Sequence, residues 1–301
     1  MPKIGQRRIV VALAVVLSII IAGLALTASE IGITSGVGNE GLPISASDLS
    51  AVPQSVVEDA NRLATEIVGD SQERCDDFVN QLLATYLEAN DKDFVILFNP
   101  GGWGYNLVER SPGWWSIFTG IESELNSSGY KSLLLTHQRT INTLQGRLDE
   151  IEELLTGYSS KANDLAYRVE FLTTHIPDLS VILTGDSNGT VICDKTLNIL
   201  GDNPRVYSIQ TGPPFWHANI MSDRTLIMTD NGITPDSFSR GDFLAMVRAN
   251  LKALIGLSQP EEDSGTILHF LRAPGHDYQW QYPEVSSQIK NFLVKIGIKW
   301  S

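Results

Sequence analysis

Residues 180–200 read SVILTGDSNGTVICDKTLNIL. The run SVILTG (180–185) has no polar alternation, the pattern of a strand buried on both faces in a parallel sheet. It passes straight into Gly185-Asp186-Ser187-Asn188-Gly189, and a helical pattern over 189–200 follows at once. A serine held at so tight a strand-to-helix turn needs small residues two before and two after it, and Gly185 and Gly189 meet that need. A helix that begins at the serine turns its unpaired N–H groups and positive dipole end toward the serine hydroxyl. The Asn188 N–H is therefore the first expected donor to an oxyanion formed there.

Outward from this stretch the same alternation repeats. Apolar runs FVILFN (94–99), SLLLT (132–136), RVYSIQ (205–210), TLIMTD (225–230) and ILHFLRA (267–273) predict further strands. Helical patterns lie over 54–68, 71–89, 115–128, 141–157, 161–175, 189–200, 239–257 and 284–296. Strand and helix in repetition predict an α/β fold with a doubly wound, mostly parallel sheet and helices on both faces. No internal repeat of fixed period interrupts it.

Two other segments carry candidate chemistry. FVILFNPGGWG ends a strand in Asn99-Pro100-Gly101-Gly102-Trp103-Gly104, where the N–H of Gly101 or Gly102 is the expected second oxyanion donor. TLIMTDNGITPD places Asp230 at the end of a late strand, and ILHFLRAPGHDY places His276 just past the last one. A serine hydroxyl is a poor nucleophile until an imidazole takes its proton and a carboxylate fixes the ring. Ser187, Asp230 and His276 are the expected set, with His217 as the rival base and Asp223 and Asp236 as rival acids.

The glycine loop Asn99–Gly104, the elbow Gly185–Gly189, Asp230 and His276 together resemble the α/β-hydrolase superfamily over residues 94–280. The short layout after the elbow is similar to that of triacylglycerol lipases and cutinase-like esterases. The elbow departs from the lipase pattern, carrying Asp186 and Asn188 where lipases often have His and Leu, and the superfamily's first two strands are not evident. The resemblance implies a serine hydrolase that cleaves carboxylic esters or thioesters, from small-molecule or lipid substrates, through an acyl-Ser187 intermediate. A catalytically silent binding or scaffold protein of the same fold is the competing reading.

Composition narrows the partners. The 301 residues carry a net charge of −13, 43% of them hydrophobic and 19% charged, which suits a folded body and repels the phosphates of a nucleic acid. No nucleic-acid partner is expected. Residues 9–26, IVVALAVVLSIIIAGLAL, form an uncharged run preceded by Lys3, Arg7 and Arg8. Its length is that of a membrane-spanning helix, and the flanking cations keep the N-terminus cytoplasmic and the body extracytoplasmic. Secretion after signal cleavage is the alternative. The expected division is an anchor over 1–28, a Gly- and Ser-rich tether over 29–52 and the α/β body over 53–301.

No cofactor and no metal are expected: the two cysteines, Cys75 and Cys193, lack zinc-site spacing and allow at most one disulfide. Ile141, Leu144, Leu148, Ile151 and Leu155 share one face of the 141–157 helix, either a lid over a cleft or a packing face. Trp103, Trp114, Trp115, Phe215 and Trp216 flank the two loops nearest the serine and are candidates for an acyl pocket, with exposed wall aromatics or core packing as the equal alternative. Asn188-Gly189-Thr190 is a glycosylation sequon expected to stay unmodified, since the turn encloses it.

Overall fold

A computed structural model of the chain describes residues 51–258, 265–267 and 271–298. The anchor reading for 1–28 and all but the last two residues of the tether reading lie outside them. Among the described residues no helix is long and apolar enough to cross a membrane.

Five parallel strands form the sheet: β1 (Phe94–Asn99), β2 (Ser132–Thr136), β3 (Ser180–Asp186), β4 (Val206–Thr211) and β5 (Thr225–Met228), in spatial order β2-β1-β3-β4-β5. Alternate side chains of each strand enter opposite layers. Val95, Leu97, Val181 and Leu183 join the core made with α1 (Gln54–Val68), α2 (Gln72–Ala89), α5 (Ser159–His175) and α6 (Asn188–Leu200). Phe94, Ile96, Phe98, Ile182 and Ile209 join the core made with α3 (Pro112–Ser127) and α8 (Pro283–Lys295). Every residue of β1 is buried, which is why its sequence shows no polar alternation. Each large apolar side chain so covered contributes about 1.5–3 kcal/mol.

Local signals set the helix ends. Pro112 and Pro283 open α3 and α8, where their missing N–H costs nothing. Thr143 caps α4 (Leu144–Thr156) by accepting from the Gly146 N–H, and Asp242 caps α7 (Phe243–Leu254) by accepting from Ala245. Gly157, in the left-handed region at φ 71°, stops α4.

The structure corrects three expectations. ILHFLRA does not add a sixth parallel strand: Thr266–Ile267 (β6) pairs antiparallel with Leu271–Arg272 (β7) in a separate small sheet. The Asn250 side chain of α7 bonds both the N–H and the carbonyl of Arg272, taking the backbone partners a sheet neighbour would supply. The strand over 225–230 stops at Met228. The α4 face bearing Leu144, Leu148 and Leu155 looks outward, Leu155 being 82% exposed, while Gly146 and Glu150 are buried. Cys75 and Cys193 are both free.

The chain leaves β1 toward β2 on one side and, from β3 onward, fills the other. The carboxyl ends of β1 and β3 therefore border the crevice where open α/β sheets hold their ligands.

Candidate active site

Ser187 lies between β3 and α6 as the residue that caps the helix, at φ 50°, ψ −120°. Only one other non-glycine among the described residues, Tyr158, has a positive φ. A serine held there is strained, and the strain is imposed by its neighbours. A Cβ on Gly185 would lie 2.9 Å from the Gly189 backbone, and one on Gly189 would collide with the Asn99 carbonyl. The elbow glycines are thus required by close backbone approach: Gly185 to α6, Gly189 to the end of β1. The Ser187 N–H donates to the Thr211 carbonyl at 3.0 Å, and Thr190 returns its N–H and hydroxyl to the Ser187 carbonyl.

The glycine loop after β1 rests on this elbow. A Cβ on Gly101 would lie 2.9 Å from the Ser187 Cβ, so the loop backbone passes directly over the serine. No hydrogen bond within the described residues uses the Gly101 or Gly102 N–H. Asn188 opens α6, and its half-buried amide donates to the Gly102 carbonyl at 3.5 Å, which holds the sequon side chain against the loop.

His276 arrives from the far end of the chain. Its side chain is 4% exposed, and Nδ1 sits 2.9 Å from Asp236 Oδ2. Gly212, the residue after Thr211, packs beneath the ring: a Cβ there would meet His276 Cε1 at 2.5 Å. Ser187 is tied to the Thr211 carbonyl and His276 covers Gly212, so serine and imidazole each stand against one of two adjacent residues at the end of β4. Phe238 stacks edge-on against His276 with ring centres 5.0 Å apart.

The carboxylate paired with His276 is Asp236, not Asp230. Asp230 lies past the end of β5, accepts from the Gly232 N–H and pairs with Arg240 at 2.7 Å, its side chain 39% exposed. The chain turns at Gly232 (φ 80°) and brings Asp236, fully buried, under the imidazole. Asp236 also accepts from the Phe238 and Ser239 N–H groups, the Ser239 hydroxyl and the Tyr278 hydroxyl. Asp223 is 98% exposed and pairs with Lys295. His217 bonds the buried Asp194 of α6 at 2.8 Å, which latches the loop carrying Phe215 and Trp216.

Burial alone would lower the His276 pKa, but the Asp236 charge and hydrogen bond, with Asp186 and Asp277, carry it above the ordinary histidine value. Burial pushes Asp236 up, and His276 with the Ser239 and Tyr278 donors brings it net below the usual carboxylate range. Asp186, beside the serine, is raised by burial, and its contacts with His276, Trp114 and Thr211 only partly oppose that.

Of the aromatic side chains, Trp114 is a core residue against Phe98, its indole donating to Thr211 at 3.0 Å. Trp103 is buried within the glycine loop, and Trp115 is partly exposed on α3. Phe215 and Trp216 form an edge-to-face cluster with Phe238 and Phe243 next to His276. Among the described residues no group of His, Cys, Asp and Glu could hold a metal ion.

The sequence held no signal for two buried supports of the site. Asn231, 1% exposed, donates to the Gly275 and Asp277 carbonyls and accepts from Ile233 and Thr234, tying the loop of Asp236 to that of His276. Arg139 lies under the glycine loop with its side chain fully buried. Asp236 bonds its own backbone ahead at Phe238 and Ser239, but Asp230 does the same at Gly232, so that local pattern does not separate the two aspartates.

No protein-family model matches the chain, and no curated protein matches it. Among solved structures the chain is similar to a Trichoderma reesei cutinase in complex with a C11Y4 phosphonate inhibitor, at 16% identity and TM-score 0.35, over 60% of this chain and 79% of that one. It is similar also to a cutinase-like protein from Cryptococcus sp., at 15% identity and TM-score 0.34, over 68% of this chain and 95% of that one.

Proposed function

We propose that the protein is a serine hydrolase that cleaves carboxylic esters or thioesters through an acyl-Ser187 intermediate. The observation that carries this reading is Ser187 held at φ 50° on a glycine-flanked elbow, beside a buried His276–Asp236 pair.

With Nδ1–H donating to Asp236, the other ring nitrogen of His276 is left to accept the Ser187 proton. The hydroxyl oxygen attacks the substrate carbonyl carbon, and the carbonyl electron pair moves to its oxygen. In this reading the N–H groups of Asn188 and of Gly101 or Gly102 hold that oxyanion, each donor contributing roughly 10²–10³ in rate. Collapse expels the alcohol or thiol, which takes its proton from His276. Water, deprotonated by the same imidazole, then attacks the acyl carbon and releases the carboxylic acid and free Ser187. The Phe215–Trp216–Phe238 cluster offers an apolar wall to the acyl or alcohol group. The apolar run 9–26 supports attachment of this body to a membrane, with the site outside the cytoplasm.

The test is a fluorophosphonate label followed by peptide mass spectrometry, alongside hydrolysis of a panel of p-nitrophenyl esters of increasing chain length. Label on Ser187 is expected, with turnover that falls by about 10⁶ in Ser187→Ala. A folded protein that takes no label and turns over no ester is the scaffold reading.

A further inference from the structure

Arg139 and Glu150 form a buried ion pair at 2.7 Å, their side chains 0% and 4% exposed. A charged pair is costly to bury and its attraction alone does not explain its place, so its other contacts matter. Arg139 Nη1 donates to the Pro100 carbonyl, and the Arg139 N–H donates to the Gly104 carbonyl at 3.0 Å. The two bonds grip both ends of the loop in which Gly101 lies against Ser187. The guanidinium fills the space beside Gly104, where a Cβ would lie 2.7 Å from its central carbon, and sits 5.5 Å from the Tyr158 ring centre. Glu150 belongs to α4, and so does Arg147, whose guanidinium lies 5.8 Å from the Trp103 ring of the same loop. The orientation of α4 follows: it turns Glu150 inward and leaves Leu144, Leu148 and Leu155 outside.

We propose that Glu150 is a positioning residue which, through Arg139, fixes the Pro100–Gly104 loop over Ser187, so that α4 serves as a brace for that loop and not as a lid. The catalytic consequence rests on the acyl-transfer reading, with Gly101 or Gly102 as oxyanion donor; the brace itself does not. Arg139 can donate to the Pro100 carbonyl from a dry site because the Glu150 carboxylate neutralises it. Without that carboxylate the guanidinium turns toward water, and the loop loses its hold at Pro100.

The experiment compares the full chain with Glu150→Gln and with the double variant Arg139→Met/Glu150→Leu, which keeps the volume of the pair and removes both charges. Amide hydrogen exchange is read at Gly104, whose N–H bonds the Gly101 carbonyl, and at position 139. We expect about tenfold or faster exchange at both amides in either variant, with β1 amides unchanged and the melting temperature of the double variant within about 3 °C of the parent. Ester turnover should fall about 10- to 100-fold in kcat with KM within about twofold, the signature of a contact made in the transition state. A folded double variant with parental exchange and kcat overturns the brace. Loss of folding in both variants overturns it as well, since the pair would then hold the core and not the loop. If the parent turns over no ester, the exchange measurement still decides the brace while the acyl-transfer reading falls separately.

Discussion

Three carboxylates act on His276, and one of them holds its ring. Asp236 bonds Nδ1 at 2.9 Å, while Asp186 and Asp277 act through space. Burial works against the imidazolium, yet the carboxylates prevail and the histidine pKa stands above 6.5. A general base must be neutral, so the acid limb of kcat/KM is expected above pH 6.5. Asp236→Asn removes the largest upward contributions and leaves burial, so that limb should move to lower pH while turnover falls on the order of 10⁴. Asp230→Asn breaks only a half-exposed pair with Arg240, and its activity should stay within about twofold of the parent. A pH–rate profile of the three proteins checks both statements; a crippled Asp230→Asn beside an unaffected Asp236→Asn would reverse the assignment.

At the scale of elements, the site exists because β1, β3, β4 and α6 converge on a few backbone atoms. Gly189 in the first turn of α6 lies against the Asn99 carbonyl at the end of β1, and no side chain fits between them. Gly189→Ala must push α6 away from β1, which carries the loop over Ser187 away from the serine. Overpacking of this kind costs about 1–3 kcal/mol, a drop of about 2–12 °C in melting temperature for a chain of this size. Differential scanning fluorimetry should show that drop together with slower fluorophosphonate labelling of Ser187. Unchanged stability and labelling would mean that the strand and helix are not in fact so close.

Across the whole molecule, acid sensitivity follows from where charge is buried. Burial alone would raise Asp164, but His137 and Arg168 bring it down to about 2, and Asp236 is net lowered too. Carboxylates lowered on folding stabilise above their unfolded value of 3.8, and that contribution is lost as pH falls through the folded value. His137, lowered by burial, adds stability above pH 6.5 that is lost on acidification below it; His276, raised, acts in the opposite sense, stabilising below pH 6.5 and losing that contribution as pH rises through its folded value. Urea midpoints should therefore fall steeply between about pH 4 and pH 2, and Asp164→Asn should flatten that fall. For the membrane reading, full-length protein is expected in the membrane fraction with its body open to external protease. Recovery of a soluble form starting near residue 29 would favour cleavage and secretion.

The sequence by itself determined the parallel sheet and the elbow, because both are local. An apolar run buried on both faces is written in consecutive residues, and Gly185-Asp186-Ser187-Asn188-Gly189 carries its own steric requirement. The extents of α1 (54–68) and β1 (94–99) are legible for the same reason. Only the tertiary structure decided which aspartate meets His276. Asp230 and Asp236 differ by six positions and a turn at Gly232, and a turn's exit direction is set by what it packs against, here the Gly275 carbonyl and Asp277 through Asn231. It alone decided the facing of α4 as well. The apolar stripe of that helix argues for burial, but Glu150 goes inward because Arg139, in the loop between β2 and α4, needs a counter-charge in a place water does not reach. Periodicity records what a helix could bury; the partner waiting across the loop determines what it does bury.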